Sequence, residues 1–308
     1  MDIVFSLGQT ALELGLFSSL TVLALFLSYS MLNVCDLSTD GCFTLGAAVS
    51  AVVAISGHPF LSLVAAMLAG VASGFITALL QTKMGVDSLL AGIVVNTGLY
   101  SVNIAVMGNS SLLNLNKTQT IFTKLKDALT GSAFAEQYKL IIALAAVAMV
   151  VLFLSLFLRT RLGLAIRATG NNPDMVRSSS IDPAFTTIVG LCIANAFTGL
   201  SGALLAQSQK SVNIDIGSGM VTVALASLLI GNAFAGRGTV PVRAVGAVCG
   251  AILFRVVYTI ALRFYMPAFM LKLVSSCIVI LAISGPYLRD RYPELARRIK
   301  HRKVTVND

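Results

Sequence analysis

The sequence predicts an all-α membrane protein of about nine transmembrane helices, arranged as two inverted halves that each contain a broken helix. Three features lead there. Hydrophobic residues make up 56% of the 308-residue chain and charged residues only 11%, with a mean hydropathy of +0.88. A soluble domain usually carries about 25% charged residues, so a water-soluble fold of this size would lack a surface. Apolar runs of spanning length recur along the whole chain, and glycine motifs and polar interruptions repeat at a fixed interval.

Crossing the hydrocarbon takes roughly 20 apolar residues in a helix. Nine runs qualify: 11–32, 41–57, 60–82, 87–107, 139–158, 184–206, 218–235, 241–263 and 268–286, the second and seventh being short. The stretch between 107 and 139, rich in Asn, Ser, Thr and Lys, is too polar to lie in lipid. These runs define one transmembrane domain over 1–286, with halves of about 11–107 and 184–286, a linker span at 139–158, an internal loop at 159–183 and a basic tail at 287–308. No basic segment precedes the first apolar run, so no cleavable signal peptide is expected and the first helix is read as an anchor.

Orientation follows from Lys and Arg near the spans. With nine crossings, three basic groups fall on one side: Arg159, Arg161, Arg167 and Arg177; Arg237 and Arg243; and the tail from Arg289 to Lys303. Lys83 joins them. That side is assigned as cytoplasmic and the N-terminus as external, although Lys117, Lys124, Lys126 and Lys139 weigh on the opposite face. The net charge of +9 thus sits at membrane edges, where it suits anionic lipid headgroups rather than nucleic acid.

The halves carry a repeat. Gly41 and Gly217 lie 176 residues apart, as do Gly70 and Gly246, and Gly74 and Gly250. The last two pairs are whole GxxxG motifs, which let helix backbones approach closely. Pairing spans one to four with six to nine makes the halves opposite in topology, an arrangement in which transport sites form at interrupted helices. Both halves are interrupted at the same place. After span one come Asn33, Asp36, Ser38 and Asp40, ahead of Gly41; after span six come Asn213 and Asp215, ahead of Gly217. A carboxylate at the centre of a membrane helix costs about 2.5–3.5 kcal/mol on insertion scales, so it needs a wet cavity or a partner. Two readings are open: a translocation pathway, or interfacial loops with Ser38 and Asp40 capping the following helix.

Asn96 and Asn103 in span four are either pathway residues or interhelical glue, with Asn96 counted to the pathway. Arg255 in span eight needs a carboxylate, a helix C-terminus or water; Asp215 and Asp40 are possible partners, and snorkelling is the alternative. Cys35, Cys42, Cys192, Cys249 and Cys277 show no paired spacing and read as small packing residues, and with only His58 and His301 no metal site is expected. The chain has no GxxxxGK[ST] phosphate cradle, nucleophile elbow or HExxH. It is therefore not expected to be an enzyme or to bind a cofactor, and any ATP would be hydrolysed by another polypeptide.

The internal loop is the most informative segment. Leu164, Ile166 and Ala168 are expected to line a short element that breaks at Gly170-Asn171-Asn172. Asn172 then becomes an N-cap with Pro173 at the first helical position and Asp174 in the first turn. This loop reads R-x-R-x-G-x-x-x-R-A-x-G-x-N-P from Arg159 to Pro173, and it resembles the coupling loop of bacterial ABC importer permeases of the branched-chain amino acid and ribose type. The break DLSTDGCFTLGA from Asp36 is similar to the first broken helix of that family, and the resemblance covers nearly the whole chain.

The resemblance implies a type II-like importer permease in the bacterial inner membrane. Gly170, Asn171, Asn172, Pro173 and Asp174 would dock into a cytoplasmic ATPase, with Arg167 bracing them. It further implies a second permease copy, ATP and Mg on the partner ATP-binding subunits, and an extracellular binding protein that delivers substrate. The wording is closest to a subgroup linked to amino acids, aromatic ones included; the acidic Asp36 and Asp40 sit poorly with a sugar. The rival is an ion-coupled secondary transporter using Asp36, Asp40 or Asp215, for which the 170–177 loop would be dispensable. A membrane enzyme is a more distant third.

Overall fold

A computed structural model describes residues 2–128, 137–236 and 238–263, with isolated positions 273, 276–277, 279–280 and 284. Six described helices are long and apolar enough to cross a membrane: Gly8–Met31, Pro59–Thr82, Ser88–Val106, Tyr138–Phe157, Pro183–Gln209 and Val240–Ala261. Two shorter apolar helices, Thr39–Ile55 and Met220–Ala235, complete eight of the nine expected spans. The ninth, 268–286, and the basic tail fall almost entirely outside the described residues. The chain is a multi-pass, all-α membrane protein.

In chain order the helices are α1 (Asp2–Leu25, continued by a π-turn at Phe26–Met31), α2 (Thr39–Ile55), α3 (Pro59–Thr82) and α4 (Ser88–Val106). Then follow α5 (Ile121–Ala128), α6 (Tyr138–Phe157), α7 (Arg161–Asn171), α8 (Pro173–Ser178), α9 (Pro183–Gln209), α10 (Met220–Ala235) and α11 (Val240–Arg263). Strands β1 (Leu112–Asn114) and β2 (Ser211–Asn213) pair antiparallel, Leu113 opposite Val212. They join the polar segment after α4 to the end of α9.

The starts of these helices are written locally. Asp87, Thr160, Asn172 and Asp182 each accept a backbone N–H of the following turn, and Pro59, Pro173 and Pro183 occupy first-turn positions where a missing N–H is harmless.

Burial separates two central helices from the rest. In α1 and α9, 78% of the apolar window is buried, against 22–33% in α3, α4, α6 and α11. These central helices are spans one and six, equivalent in the expected repeat. Phe17, Leu20, Leu23 and Phe26 of α1 pack with Leu191, Phe197 and Leu204 of α9 in one cluster. Lipid is as apolar as these side chains, so helix association depends on close packing of small residues. Gly70 and Gly74 supply it on α3: a Cβ at either would strike the α9 backbone, at Asn195 and Leu191. Gly246 and Gly250 on α11 instead face the α10 backbone at Gly231 and Ser227. The two motifs, in register in sequence, therefore close onto different neighbours, span six for one and span seven for the other.

Candidate functional site: two stitched helix breaks and an exposed knob

The first break begins where α1 loosens into its π-turn. Leu32 N–H donates to Leu27 O at 3.1 Å and Val34 N–H to Ser28 O at 2.9 Å, both wider than an α-helical turn. Asn33 then takes a left-handed conformation (φ 56°) and turns the chain back, a geometry Asn tolerates better than most residues. Asp36 is buried and saturated. Its Oδ1 accepts from Ser38 N–H at 2.8 Å and Ser38 Oγ at 2.6 Å. Its Oδ2 accepts from Asn195 Nδ2 at 2.6 Å. Asn195 stands twelve residues along α9 from Pro183, about 18 Å up the axis and so near mid-membrane. Ser38 is spent on Asp36 and makes no side-chain cap on α2, so the alternative in which it caps the following helix does not hold.

The second break meets the first. α9 ends at Lys210, left-handed at φ 55°. Asn213 Oδ1 then accepts Asp215 N–H at 2.8 Å, folding 213–218 into tight turns. α10 starts at Gly219 without a cap of its own. Asp40 supplies one from the other half: Oδ2 accepts Gly219 N–H at 2.9 Å and Oδ1 accepts Val221 N–H at 2.8 Å. A carboxylate on two free N–H groups at a helix N-terminus is bonded and favoured by the helix dipole. Thr44 Oγ accepts Gly217 N–H at 3.2 Å beside it. Asp40 thus caps α10 rather than its own helix.

Between α4 and this junction lies a cavity of about 330 Å³. Asp40, Gly41 and Thr44 line it from α2; Asn96, Thr97, Tyr100 and Asn103 from α4; Ile214, Asp215 and Ser218 from the second break. Of the residues expected along a pathway, Asp40, Asn96 and Asp215 come together here. Asn33, Asp36, Ser38 and Asn213 do not line it; they shape the breaks. Thr44, Thr97 and Tyr100 carried no sequence signal, since single hydroxyls are ordinary in apolar helices; Ser218 belongs to the polar second break. Asn103 Nδ2 donates to Gly41 O at 3.1 Å, tying α4 to the start of α2.

Beside the start of α9, α7 and α8 form a knob. Asn172 Oδ1 accepts from Asp174 N–H and Met175 N–H, each at 3.1 Å, with Pro173 at the first helical position as expected. Asn171, Asn172, Pro173 and Asp174 are exposed; Asp174 pairs with Arg177 at 3.7 Å in full solvent, a contact of little energetic weight. The expected break at Gly170-Asn171-Asn172 is present: α7 ends at Asn171 and Asn172 turns extended to open α8, with Gly170 in the last turn of α7. Its helical period buries Ile166 and exposes Leu164, so these two do not share a face. Gly170 packs its Cα against the Met31 carbonyl and Leu32 at the end of the π-turn, and Arg167, a turn earlier, is half-buried. Thr169 and Thr186 share a buried hydroxyl hydrogen bond of 2.8 Å, fastening α7 to α9. The knob therefore touches both central helices, one of them just before the first break. Met175, 66% exposed at its tip, was not anticipated.

A buried clamp escaped the sequence, and the carboxylate partners considered for Arg255 are not found among the described residues. Gln207 Oε1 accepts Ile121 N–H at 3.0 Å, and its Nε2 donates to Ser50 Oγ at 3.0 Å and Ser62 Oγ at 2.7 Å, clamping α5 onto α2, α3 and α9. Arg255 lies with its guanidinium 5.7 Å from the Tyr258 ring centre. Among the described residues no ion pair joins it to Asp40 or Asp215, and Asp40 is engaged by α10. No group of described His, Cys, Asp or Glu side chains is arranged to hold a metal ion.

Residues 10–283 match the family described as branched-chain amino acid transport system / permease component. Among curated proteins, a tyrosine transport system permease protein of Clostridioides difficile is 30% identical over 86% of both chains. An uncharacterized protein of Rickettsia prowazekii is 32% identical over 72% of this chain and 76% of its own. A probable branched-chain amino acid transport permease of Methanocaldococcus jannaschii is 24% identical over 68% of this chain and 58% of its own. No solved structure matches.

Proposed function

We propose that this chain, which belongs to the permease-component family of branched-chain amino acid transport systems, is the membrane subunit of an ATP-driven importer for an amino acid. Permease components of this kind are not enzymes and work with separate ATP-binding subunits. The observation that carries the reading is the knob: a capped, exposed α8 held by α7 against both central helices. ATP and Mg reside on the partner ATPase, which grips Asn171, Asn172, Pro173 and Asp174. Its closure displaces α7, and the Gly170–Met31 contact passes that displacement to the first break. Asp40 and Thr44 pass it on to the second break. Motion follows only because the knob binds the two ATPase states with different free energy.

The amino-acid substrate draws support from the tyrosine transport system relative and from the polar, acid-bearing cavity. Delivery by an extracellular binding protein, pairing with a second copy of the chain, lipid contact by the basic tail, and a bacterial inner-membrane location with the N-terminus outside and C-terminus cytoplasmic complete the reading. Gly70, Gly74, Gly246 and Gly250 keep each half rigid as it rocks.

Affinity purification in mild detergent, beside a variant carrying Asn171→Ala, Asn172→Ala and Asp174→Ala, tests it. An ATPase subunit retained by the native chain and lost by the variant is the expected result. A chain that purifies alone, in both forms, contradicts it.

A further inference from the structure

The cavity at the stitched breaks is unbalanced in both charge and hydrogen bonding. Among the described residues two carboxylates line it, and no Lys, Arg or His does. The charge of Asp40 is answered by the N-terminus of α10. That of Asp215 is not: its backbone is bonded, N–H to Asn213 and carbonyl from Ser218, and no partner is described for its carboxylate. Asn103 supplies an independent sign of a missing ligand. It is 1% exposed and lines the cavity, and its Oδ1 is buried without a partner. The amide cannot simply be turned over, because Nδ2 is committed to Gly41 O at 3.1 Å, and a flip would set carbonyl against carbonyl. A buried acceptor left bare is costly, and of the eight buried side-chain polar atoms without a partner among the described residues Asn103 Oδ1 is the one whose residue lines this cavity.

A ligand that suits these walls brings N–H donors and positive charge. We propose that the cavity reads a primary ammonium group, with Asp215 supplying the opposing charge and Asn103 Oδ1 a second acceptor. This deepens, and rests on, the amino-acid reading above. Asn96, Tyr100 and Ser218 are donors available to a ligand carboxylate in the same space. Analogues lacking the amine are then disfavoured, because they leave the buried Asn103 Oδ1 unpaired and the Asp215 charge unanswered.

The test uses the full chain in lipid nanodiscs and saturation-transfer NMR, which reads weak sites directly. The probes are L-tyrosine, tyramine and 3-(4-hydroxyphenyl)propanoate, which share a ring and differ in the amine and the carboxylate. Both amines are expected to bind at least about ten-fold more tightly than the des-amino acid, as loss of a charge-assisted hydrogen bond requires. Asp215→Asn, in an exposed turn whose backbone bonds do not use the carboxylate, is expected to abolish that preference. Asn103→Leu is expected to weaken it, provided its melting temperature stays near the native one; Asp215→Asn decides the matter if it does not. Equal binding of the des-amino acid, silence from all three probes, or an amine preference untouched by Asp215→Asn overturns the proposal. Because the ATPase copurification above does not depend on this cavity, its failure and this one are read separately.

Discussion

Asp40 is the residue on which the junction between the halves depends most. Removing its side chain as Asp40→Ala takes two charge-assisted acceptors from the first turn of α10, at Gly219 and Val221. Such bonds contribute about 1.5–3 kcal/mol each. Water entering from the adjacent cavity recovers part of that, leaving a local cost of about 3 kcal/mol, or roughly 100-fold in the opening equilibrium. Asp40→Asn keeps one neutral acceptor and should cost about 1–2 kcal/mol, a factor of roughly 5–30. Hydrogen–deuterium exchange of peptides spanning 214–223 measures this directly. Exchange there should accelerate by those factors, while peptides from the α9 centre stay near native because Asp36, Ser38 and Asn195 hold the first break independently. Unchanged exchange at 214–223 in Asp40→Ala would refute the cross-half cap.

Further outcomes follow from the packing. Gly70→Leu forces a side chain into the Asn195 backbone and should cost more than about 3 kcal/mol, seen as loss of a monodisperse peak in size exclusion. Gly98→Ala, which meets open space, should behave as native or be slightly more stable. Met175→Arg, at an exposed position, should leave the melting temperature unchanged while weakening ATPase retention. Asn172→Ser, which keeps a side-chain acceptor for the α8 cap, should retain it; retention by Met175→Arg would remove the knob's tip from the docking surface. Gln207→Leu strips partners from Ile121 N–H, Ser50 and Ser62, at about 1–3 kcal/mol. Trypsin should then cut faster at Lys124 and Lys126; native cleavage kinetics would show that the clamp is dispensable.

Much of this arrangement was legible because it is local. Hydropathy located eight described spans, and the Asn172–Pro173–Asp174 signature read correctly as a cap followed by a first turn, since both depend on neighbours within four residues. The two helix breaks were visible as clustered polar residues ahead of short apolar runs. Their meeting was not visible. Asp36 answers to Asn195 and Asp40 to the first turn of α10, partners more than 150 residues away, and sequence records the need for a partner without naming it. Asn195 and Gln207 look like stray polar residues in an apolar helix, although each completes a buried network. At Gly170 the local signal placed the end of α7 within a residue or two, but not the reason for a glycine there: the end of α1 packs against it and leaves no room for a Cβ.

The most direct test of the central claim asks which energy source moves the solute. Proteoliposomes holding the permease with its ATP-binding subunits, and supplied with the binding protein, should take up labelled L-tyrosine when ATP is present on the ATPase side, without any ion gradient, and should stop when Asn171, Asn172 and Asp174 are all alanine. Uptake by this chain alone, driven by a sodium or proton gradient and indifferent to those substitutions, would contradict the account and make Asp40 or Asp215 the ion-coupling carboxylate of a secondary transporter.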